Sequence, residues 1–130
     1  MTWDDVRALH AAGMEVGGHT ITHPVLATLD AAAQRAEIAG SLDRLRTELD
    51  VPVETFAYPV GAKDSVDDAT TAIMADLGVR RAYGFCGGIN PPGFTDRYLV
   101  RRVGVFGESP EIIRATAALP TLFGSPRRYA

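Results

Sequence analysis

The stretch GGHTITHP, residues 17–24, carries more chemical information than any other part of this chain. It sets His19 and His23, two of the three histidines, four residues apart and directly after a short strand candidate, Met14–Gly18. An imidazole binds a divalent first-row metal through one ring nitrogen, so two imidazoles on one segment supply two ligands at little extra ordering cost. The pattern therefore indicates half of a metal site, and a third ligand has to come from elsewhere in the fold.

The composition predicts one compact domain. A chain of 130 residues with 46% hydrophobic content can bury a core, but it is small for an enzyme built on a whole barrel. The net charge of -3 and the pI near 5.5 give no basic surface of the kind that nucleic acid or an anionic membrane selects. No apolar run approaches the roughly 20 residues that cross a bilayer, and no signal-peptide pattern is visible. We expect a soluble chain without a transmembrane segment or a nucleic-acid partner, and the sequence leaves its localisation open.

The apolar pattern alternates between helix and strand, with short links rich in glycine and proline. This alternation predicts an α/β fold with a mostly parallel sheet. Helix starts are expected at Thr2, Asp30, Ser65 and Ser109, and strands at Met14–Gly18, Thr55–Tyr58, Arg81–Phe85 and Leu99–Val105. The clearest signals are the capping-box spacing of Thr2 and Asp5 and, after Asp30, an apolar stripe at helical spacing. That stripe consists of Ile38, Leu42, Leu45 and Leu49.

Two residues with reactive side chains are predicted to be structural. His10 lies on the first predicted helix, where a packed or half-exposed role is favoured over a role in chemistry. Cys86 is the only cysteine, so no internal disulfide can form. A buried and inert thiol is the expected role for Cys86.

Two loops that follow predicted strands carry polar chemistry. In parallel α/β sheets the loops at the carboxyl ends of the strands converge on one face, where ligands bind. The first loop holds His19 and His23, and the second is Tyr58–Gly61, in which a proline bend and a glycine can turn backbone N–H groups toward a ligand. A metal facing a backbone donor suits hydrolysis of an acyl group.

These two segments carry a family resemblance. GGHTITHP, followed about thirty residues later by FAYPVG at 56–61, resembles the polysaccharide deacetylase family, the NodB-homology domain of carbohydrate esterase family four. The resemblance covers roughly Thr2 to Val105 and implies a partial distorted (β/α) barrel that lacks its first strand or strands. It implies a domain over residues 1–119, followed by a carboxyl-terminal tail at 120–130. The implied activity is metal-dependent removal of acetyl groups from a polysaccharide or amino sugar.

The resemblance also assigns roles to individual residues. The family motif H-[ST]-x-x-H falls on His19, Thr20 and His23, which makes the histidines ligands of a divalent metal, most often zinc, and Thr20 a brace for the loop. The family segment R-P-P-Y aligns with residues 57–60, so Tyr58 and Pro59 are expected to line the substrate groove. Val60 is expected to offer its backbone N–H to an oxyanion. An alanine stands where many members have arginine, and the form FAYPxG resembles a recognised subgroup.

Two parts of the family pattern are absent from this chain. The aspartate motif that supplies the base and the third ligand precedes the histidine motif in the family, and Asp4 and Asp5 are interpreted instead as helix-start residues. The late histidine that serves as general acid is missing from the predicted strand at Leu99–Val105. The chain is therefore expected to be a truncated portion, weakly active or inactive alone, with an exposed sheet edge that favours association.

The pattern leaves three hypotheses open. The first is the truncated deacetylase, acting on an acetylated polysaccharide or oligosaccharide. The second is a non-catalytic carbohydrate-binding remnant, in which Tyr58, Tyr83 and Phe85 hold sugar without hydrolysing it. The third is a structural fragment that pairs with a separately encoded amino-terminal piece. The sequence names neither the sugar nor the choice between N- and O-deacetylation.

Overall fold

The computed structural model describes residues 1–87, 90–102 and 109–118. Within this part of the chain it contains four α-helices, two β-strands and two short 3-10 turns. The helices are α1 (Trp3–Ala11), α2 (Ala31–Leu49), α3 (Asp68–Asp76) and α4 (Pro110–Ala118), the strands are β1 (Thr55–Ala57) and β2 (Arg81–Tyr83), and the 3-10 turns are Leu26–Thr28 and Lys63–Ser65. The predicted α/β class is confirmed. No helix in these ranges is both long enough and apolar enough to cross a membrane.

Helices α1 and α2 begin where the sequence predicts. The Thr2 side chain accepts a hydrogen bond from the Asp5 backbone N–H, and Asp5 accepts from the Thr2 N–H at 2.6 Å, which completes a capping box. These hydrogen bonds to Thr2 lower the pKa of the Asp5 carboxyl. At the second start the Asp30 carboxylate accepts from the Ala33 N–H at 2.8 Å. Side chains of this type satisfy N–H groups that a helix start leaves without an intrahelical partner.

Helix α3 begins two residues later than expected, because Asp67 and not Ser65 is its cap. The Asp67 carboxylate accepts from the Thr70 N–H at 2.8 Å, and the Thr70 hydroxyl completes a reciprocal capping box. Ser65 is buried in the preceding 3-10 turn, and Val66 between them is extended, with φ -134°. The prediction of Ser65 as the cap was therefore wrong.

The sheet is parallel and grows in chain order. Strand β1 pairs with β2 in the register Thr55↔Arg81, Phe56↔Ala82 and Ala57↔Tyr83. Single parallel bridges, Gly18↔Phe56 and Tyr83↔Val100, add one extended segment on each side. Helix α2 crosses between the first segment and β1, and α3 crosses between β1 and β2. Strand–helix–strand crossovers of this kind bring the carboxyl ends of the segments to one edge of the sheet.

Strands β1 and β2 end one and two residues before their predicted ends at Tyr58 and Phe85. The other two predicted strands form only single bridges among the described residues. Met14–Gly18 pairs only at Gly18, whose N–H donates to Thr55 at 2.9 Å and whose carbonyl accepts from Ala57 at 2.8 Å. The pairing does not continue beyond the glycine, because the chain leaves the extended conformation at Thr20, where φ is 66°. Within residues 99–102 only Val100 forms a bridge. The rest of that predicted strand lies at 103–105, and the predicted tail at 120–130, both outside the described residues.

The core lies between the sheet and helices α2 and α3. Its buried apolar members are Leu26, Ile38, Leu42, Val53, Phe56, Tyr58, Ile73, Met74, Val79 and Ala82. Leu45 and Leu49 pack against this cluster and remain partly exposed, so the stripe predicted on α2 faces the sheet. Cys86 is half-buried and not fully buried as expected, and His10 is half-buried on α1. Removal of this apolar surface from water is the main favourable term in holding α2 and α3 to the sheet.

Candidate metal site

His19 and His23 lie side by side on the loop that follows the Gly18 bridge. Their ring centroids are 4.9 Å apart, and the ring planes meet at 72°. The turn that brings them together uses left-handed backbone at Thr20, with φ 66°, and at His23, with φ 63°. Both imidazoles are exposed to solvent. Two adjacent exposed imidazoles form a donor pair suited to a divalent transition metal.

A contact with the end of β1 fixes the orientation of the His19 ring. The Nδ1 atom of His19 lies 2.6 Å from the backbone carbonyl oxygen of Ala57. A carbonyl oxygen only accepts, so Nδ1 must carry the proton and donate it, which leaves Nε2 with a free lone pair in the neutral ring. Metal-binding histidines commonly hold their other ring nitrogen in this way. Nε2 of His19 is therefore the nitrogen available to a metal.

Thr20 ties the two histidines together from inside the turn. Its hydroxyl donates to the carbonyl oxygen of His19 and accepts from the backbone N–H of His23 at 3.1 Å. One side chain thus bridges the residues at both ends of the motif. The family motif implies a bracing role for this threonine.

Glu37 holds the same loop from outside, and it was not among the residues predicted for the site. One oxygen of this half-buried α2 carboxylate accepts from the backbone N–H groups of Ile21 at 2.7 Å and of Thr22 at 2.9 Å. The other oxygen accepts from the Thr22 hydroxyl at 2.7 Å. These hydrogen bonds lower the pKa of the Glu37 carboxyl, and the one from the Thr22 hydroxyl has the largest effect. No local spacing rule connects a helix residue to a loop 15 residues earlier, so the sequence offered no signal for this contact.

Tyr58 and Pro59 turn into the core. Tyr58 is only 2% exposed, Pro59 is less than 2% exposed, and the Tyr58 ring packs against Phe56 at a centroid distance of 5.7 Å. The Tyr58 hydroxyl is buried and has no hydrogen-bond partner in the part of the chain that the structure describes. Burial raises the pKa of Tyr58. Neither side chain presents surface to a ligand in this conformation, and their predicted contact with substrate stays a prediction.

Val60 presents its backbone at the tip of the second loop. Its φ is 59°, an unusual value for a β-branched residue, and the Gly61 N–H donates to the Pro59 carbonyl across it. The Val60 side chain is 57% exposed. Among the described residues no acceptor bonds the Val60 N–H. The loop therefore leaves this backbone donor without an acceptor among the described residues, and its role toward an oxyanion stays a prediction.

Gly61 anchors this loop to the end of β2. Its φ is 71°, and a Cβ placed on it would lie 2.7 Å from the backbone nitrogen of Phe85. The carbonyl oxygen of Gly61 accepts from the Phe85 N–H at 2.6 Å. Only glycine combines this backbone conformation with so close an approach.

A cavity of about 290 Å³ opens beside His19. Its wall includes Gly17, Gly18, Phe56, Ala57 and Tyr83. Of the aromatic residues suggested for sugar binding, only Tyr83 lines this cavity, whereas Tyr58 faces the core and Phe85 lies under the guanidinium of Arg102, 5.8 Å from the ring centroid.

The donor set fits a metal incompletely. Two imidazoles are in place, one of them with a fixed tautomer, and both suit zinc. Across residues 1–87, 90–102 and 109–118, no group of three or more His, Cys, Asp or Glu side chains could hold a metal ion. A catalytic zinc normally has three protein ligands. The two imidazoles are therefore one donor short of such a set among the described residues.

Comparisons with known proteins agree with this fold. The family model described as Polysaccharide deacetylase matches residues 1–82. An uncharacterized protein of Streptomyces coelicolor is 34% identical over 77 residues, which are 59% of this chain and 30% of that protein. The Streptococcus pyogenes deacetylase PplD, solved in complex with acetate, superposes with a TM-score of 0.80 and 26% identity over 89% of this chain. IcaB from Ammonifex degensii superposes with a TM-score of 0.71 and 26% identity over 90% of this chain.

The chain is shorter than the proteins it matches. It covers 50% of the PplD chain and 52% of the IcaB chain, so it spans about half the length of these solved structures. Of the Streptomyces coelicolor protein it covers less than a third.

Proposed function

The chain belongs to the polysaccharide deacetylase family, and from this premise we propose that it carries the histidine half of a zinc-dependent site that hydrolyses acetyl groups. The substrate we propose is an acetylated polysaccharide or amino sugar. The observation that carries the proposal is the hydrogen bond from His19 Nδ1 to Ala57, with the His23 ring 4.9 Å away. Acetate, which is bound in the similar PplD structure, is the product that such a reaction releases.

Each described residue has a defined part in this proposal. His19, through Nε2, and His23 would hold the zinc, which when bound supplies a Lewis acid and an activated water. Thr20 holds the two histidine residues together through hydrogen bonds to the backbone of each. The Val60 N–H would donate to the oxygen that becomes negative as the acetyl carbonyl is attacked. Preorganised donors of this kind lower the barrier because they need no reorientation during the reaction.

The described residues do not complete such a site. A third ligand and a general base are needed, and the described residues bring no carboxylate into a group with His19 and His23. We assign these roles to two carboxylates, one as ligand and one as base, that are not among the described residues. Weak activity of this chain on its own is the expected consequence, because two ligands hold zinc less firmly than three.

A non-catalytic sugar-binding function is the second candidate. The incomplete ligand set favours it, and so does the half-buried Tyr83 on the wall of the cavity beside His19. Aromatic rings with one accessible face offer apolar surface to a sugar ring. Two adjacent imidazoles have no evident part in such binding, which is why hydrolysis stays the first candidate.

Acetate release from an acetylated chitooligosaccharide separates the two functions. The assay compares this chain and a version extended at its amino terminus, each with added zinc and with a chelator, and includes His19→Ala and, as a matched control, His10→Ala. Zinc-dependent release that is lost in His19→Ala and kept in His10→Ala supports hydrolysis. Sugar binding without acetate release in either version, and without any effect of zinc, would support the second candidate and contradict the first.

A further inference from the structure

We infer that Glu37 is a positioning residue for the metal site, and that its carboxylate clamps the turn between His19 and His23 in the shape that brings the two imidazoles together. This inference rests on the proposed function. The clamp is made of the three hydrogen bonds that Glu37 accepts from Ile21 and Thr22. They engage the two residues midway between the ligands and leave the ligands themselves untouched.

The turn needs an external hold because its backbone is unusual. Thr20 and His23 both have positive φ, a conformation that residues other than glycine adopt at some cost. Such a conformation persists only where its surroundings determine it. Thr20 contributes from inside the turn, and Glu37 is the contact that ties the outer side of the turn to a rigid helix.

Helix α2 is shaped to receive the turn at the same place. Gly40 lies one helical turn after Glu37 and therefore on the same face. A Cβ on Gly40 would collide with the Cδ1 atom of Ile21, so the Ile21 side chain would have to shift away from the helix. One turn of α2 thus accepts hydrogen bonds from the loop and also packs against it.

Zinc affinity tests the clamp. The measurement is the dissociation constant for zinc of the whole chain and of the variants Glu37→Ala, Glu37→Gln and Thr22→Val. Loss of a group that orients a metal ligand typically weakens affinity about ten- to a hundred-fold, and we expect this range for Glu37→Ala. Glu37→Gln should lie between it and the unchanged chain, since an amide oxygen still accepts from the backbone. Thr22→Val removes only one of the three hydrogen bonds and should have the smallest effect.

Glu48→Gln is the matched control. Glu48 lies on the same helix and carries the same charge, but it contacts Arg7 at 2.8 Å and Arg44 at 2.7 Å, away from the histidine loop. Its replacement should leave zinc affinity unchanged. Unchanged affinity in Glu37→Ala, in a chain that binds zinc, would overturn the inference and leave the proposed function standing.

An NMR measurement without metal tests the clamp independently of zinc binding. In the unmodified chain we expect a nuclear Overhauser effect between the ring protons of His19 and His23, given the 4.9 Å separation of the ring centroids. The signal should be lost in Glu37→Ala and kept in Glu48→Gln. Retention of the signal in Glu37→Ala would overturn the positioning role. Absence of zinc binding in the unmodified chain would instead contradict the proposed function, and this signal would still decide the role of Glu37.

Discussion

The Nδ1 atom of His19 donates a hydrogen bond to the carbonyl oxygen of Ala57, 38 residues later in the chain. The same alanine donates its N–H to the carbonyl of Gly18 at 2.8 Å. A single residue at the end of β1 therefore fixes both the course of the chain before the histidine loop and the tautomer of the first histidine. The chemistry of the loop depends in this way on the pairing of the sheet.

The tautomer of His19 can be tested directly. In the metal-free chain we expect the neutral His19 ring to carry its proton on Nδ1 and not on Nε2, because a carbonyl oxygen can only accept. Long-range proton–nitrogen correlation spectra distinguish the two forms. His23 serves as an internal comparison, since no hydrogen bond of its ring nitrogens is described. A protonated Nε2 on His19 would contradict the geometry of the site.

Tyr58→Phe should leave the free energy of unfolding nearly unchanged or raise it by up to about 1 kcal/mol near neutral pH. The Tyr58 hydroxyl is buried without a partner among the described residues, and an unsatisfied buried polar group costs free energy. Urea unfolding measures the difference. A large loss of stability would show that the hydroxyl has a partner.

The same residue gives a pH dependence. Burial raises the pKa of Tyr58 in the folded chain, whereas in the unfolded chain the phenol ionises near pH 10. Above that pH the unfolded state binds fewer protons than the folded state, so stability falls as the pH rises. Unfolding measured at about pH 8 and about pH 10.5 should show this fall, and Tyr58→Phe should reduce it. An identical fall in both proteins would contradict the prediction.

Asp67→Ala should cost about 1–2 kcal/mol of stability, since it removes the cap of α3. It also removes the acceptor for the Gln34 side-chain amide, 3.1 Å away. Ser65→Ala is the control, because Ser65 is not the cap and its replacement should cost less. Thermal or urea unfolding of both variants decides the matter. A larger loss of stability in Ser65→Ala than in Asp67→Ala would support Ser65 as the cap, as the sequence suggested.

Gly61→Ala should destabilise the chain more than Gly78→Ala. Both glycines have positive φ, 71° and 76°, but a Cβ on Gly61 would lie 2.7 Å from the Phe85 nitrogen while one on Gly78 would meet nothing within 4 Å. Gly78→Ala should cost only the backbone strain, roughly 1 kcal/mol, and Gly61→Ala should add the steric conflict to that. Urea unfolding measures both losses of stability. Equal losses in the two variants would indicate that the loop after β1 moves away from Phe85 without cost.

Features that depend on near neighbours in the chain were predictable. Three such features involve residues only a few positions apart, so the sequence alone indicates them. They are the Thr2–Asp5 capping box, the Asp30 cap and the Ile38–Leu42 stripe. The cap of α3 was misplaced because Ser65 and Asp67 are both suitable caps two residues apart. Only the extended Val66 between them decides in favour of Asp67.

The residues of the candidate site could be predicted from the sequence, but the contacts that hold them in place could not. The family resemblance is confirmed, and the two histidines do lie together. The assignment to the FAYPxG subgroup and the zinc remain predictions. Glu37 and the carbonyl of Ala57 act on the loop across 15 or more residues, and no periodicity in a single sequence reports such contacts. The closeness of Gly17 to Thr55, where a Cβ would lie 2.8 Å from the hydroxyl, is equally invisible before the chain folds.

The parallel order of the sheet has a consequence for how this chain folds. Gly18 pairs with β1 across α2, and β1 pairs with β2 across α3, so neither of these pairings is a hairpin that could form early. Each requires a long loop to close before its first hydrogen bond is made, which slows folding. We expect α2 and α3 to form before the strands align. The histidine loop, whose first ring is held by Ala57, then takes its final shape among the last steps.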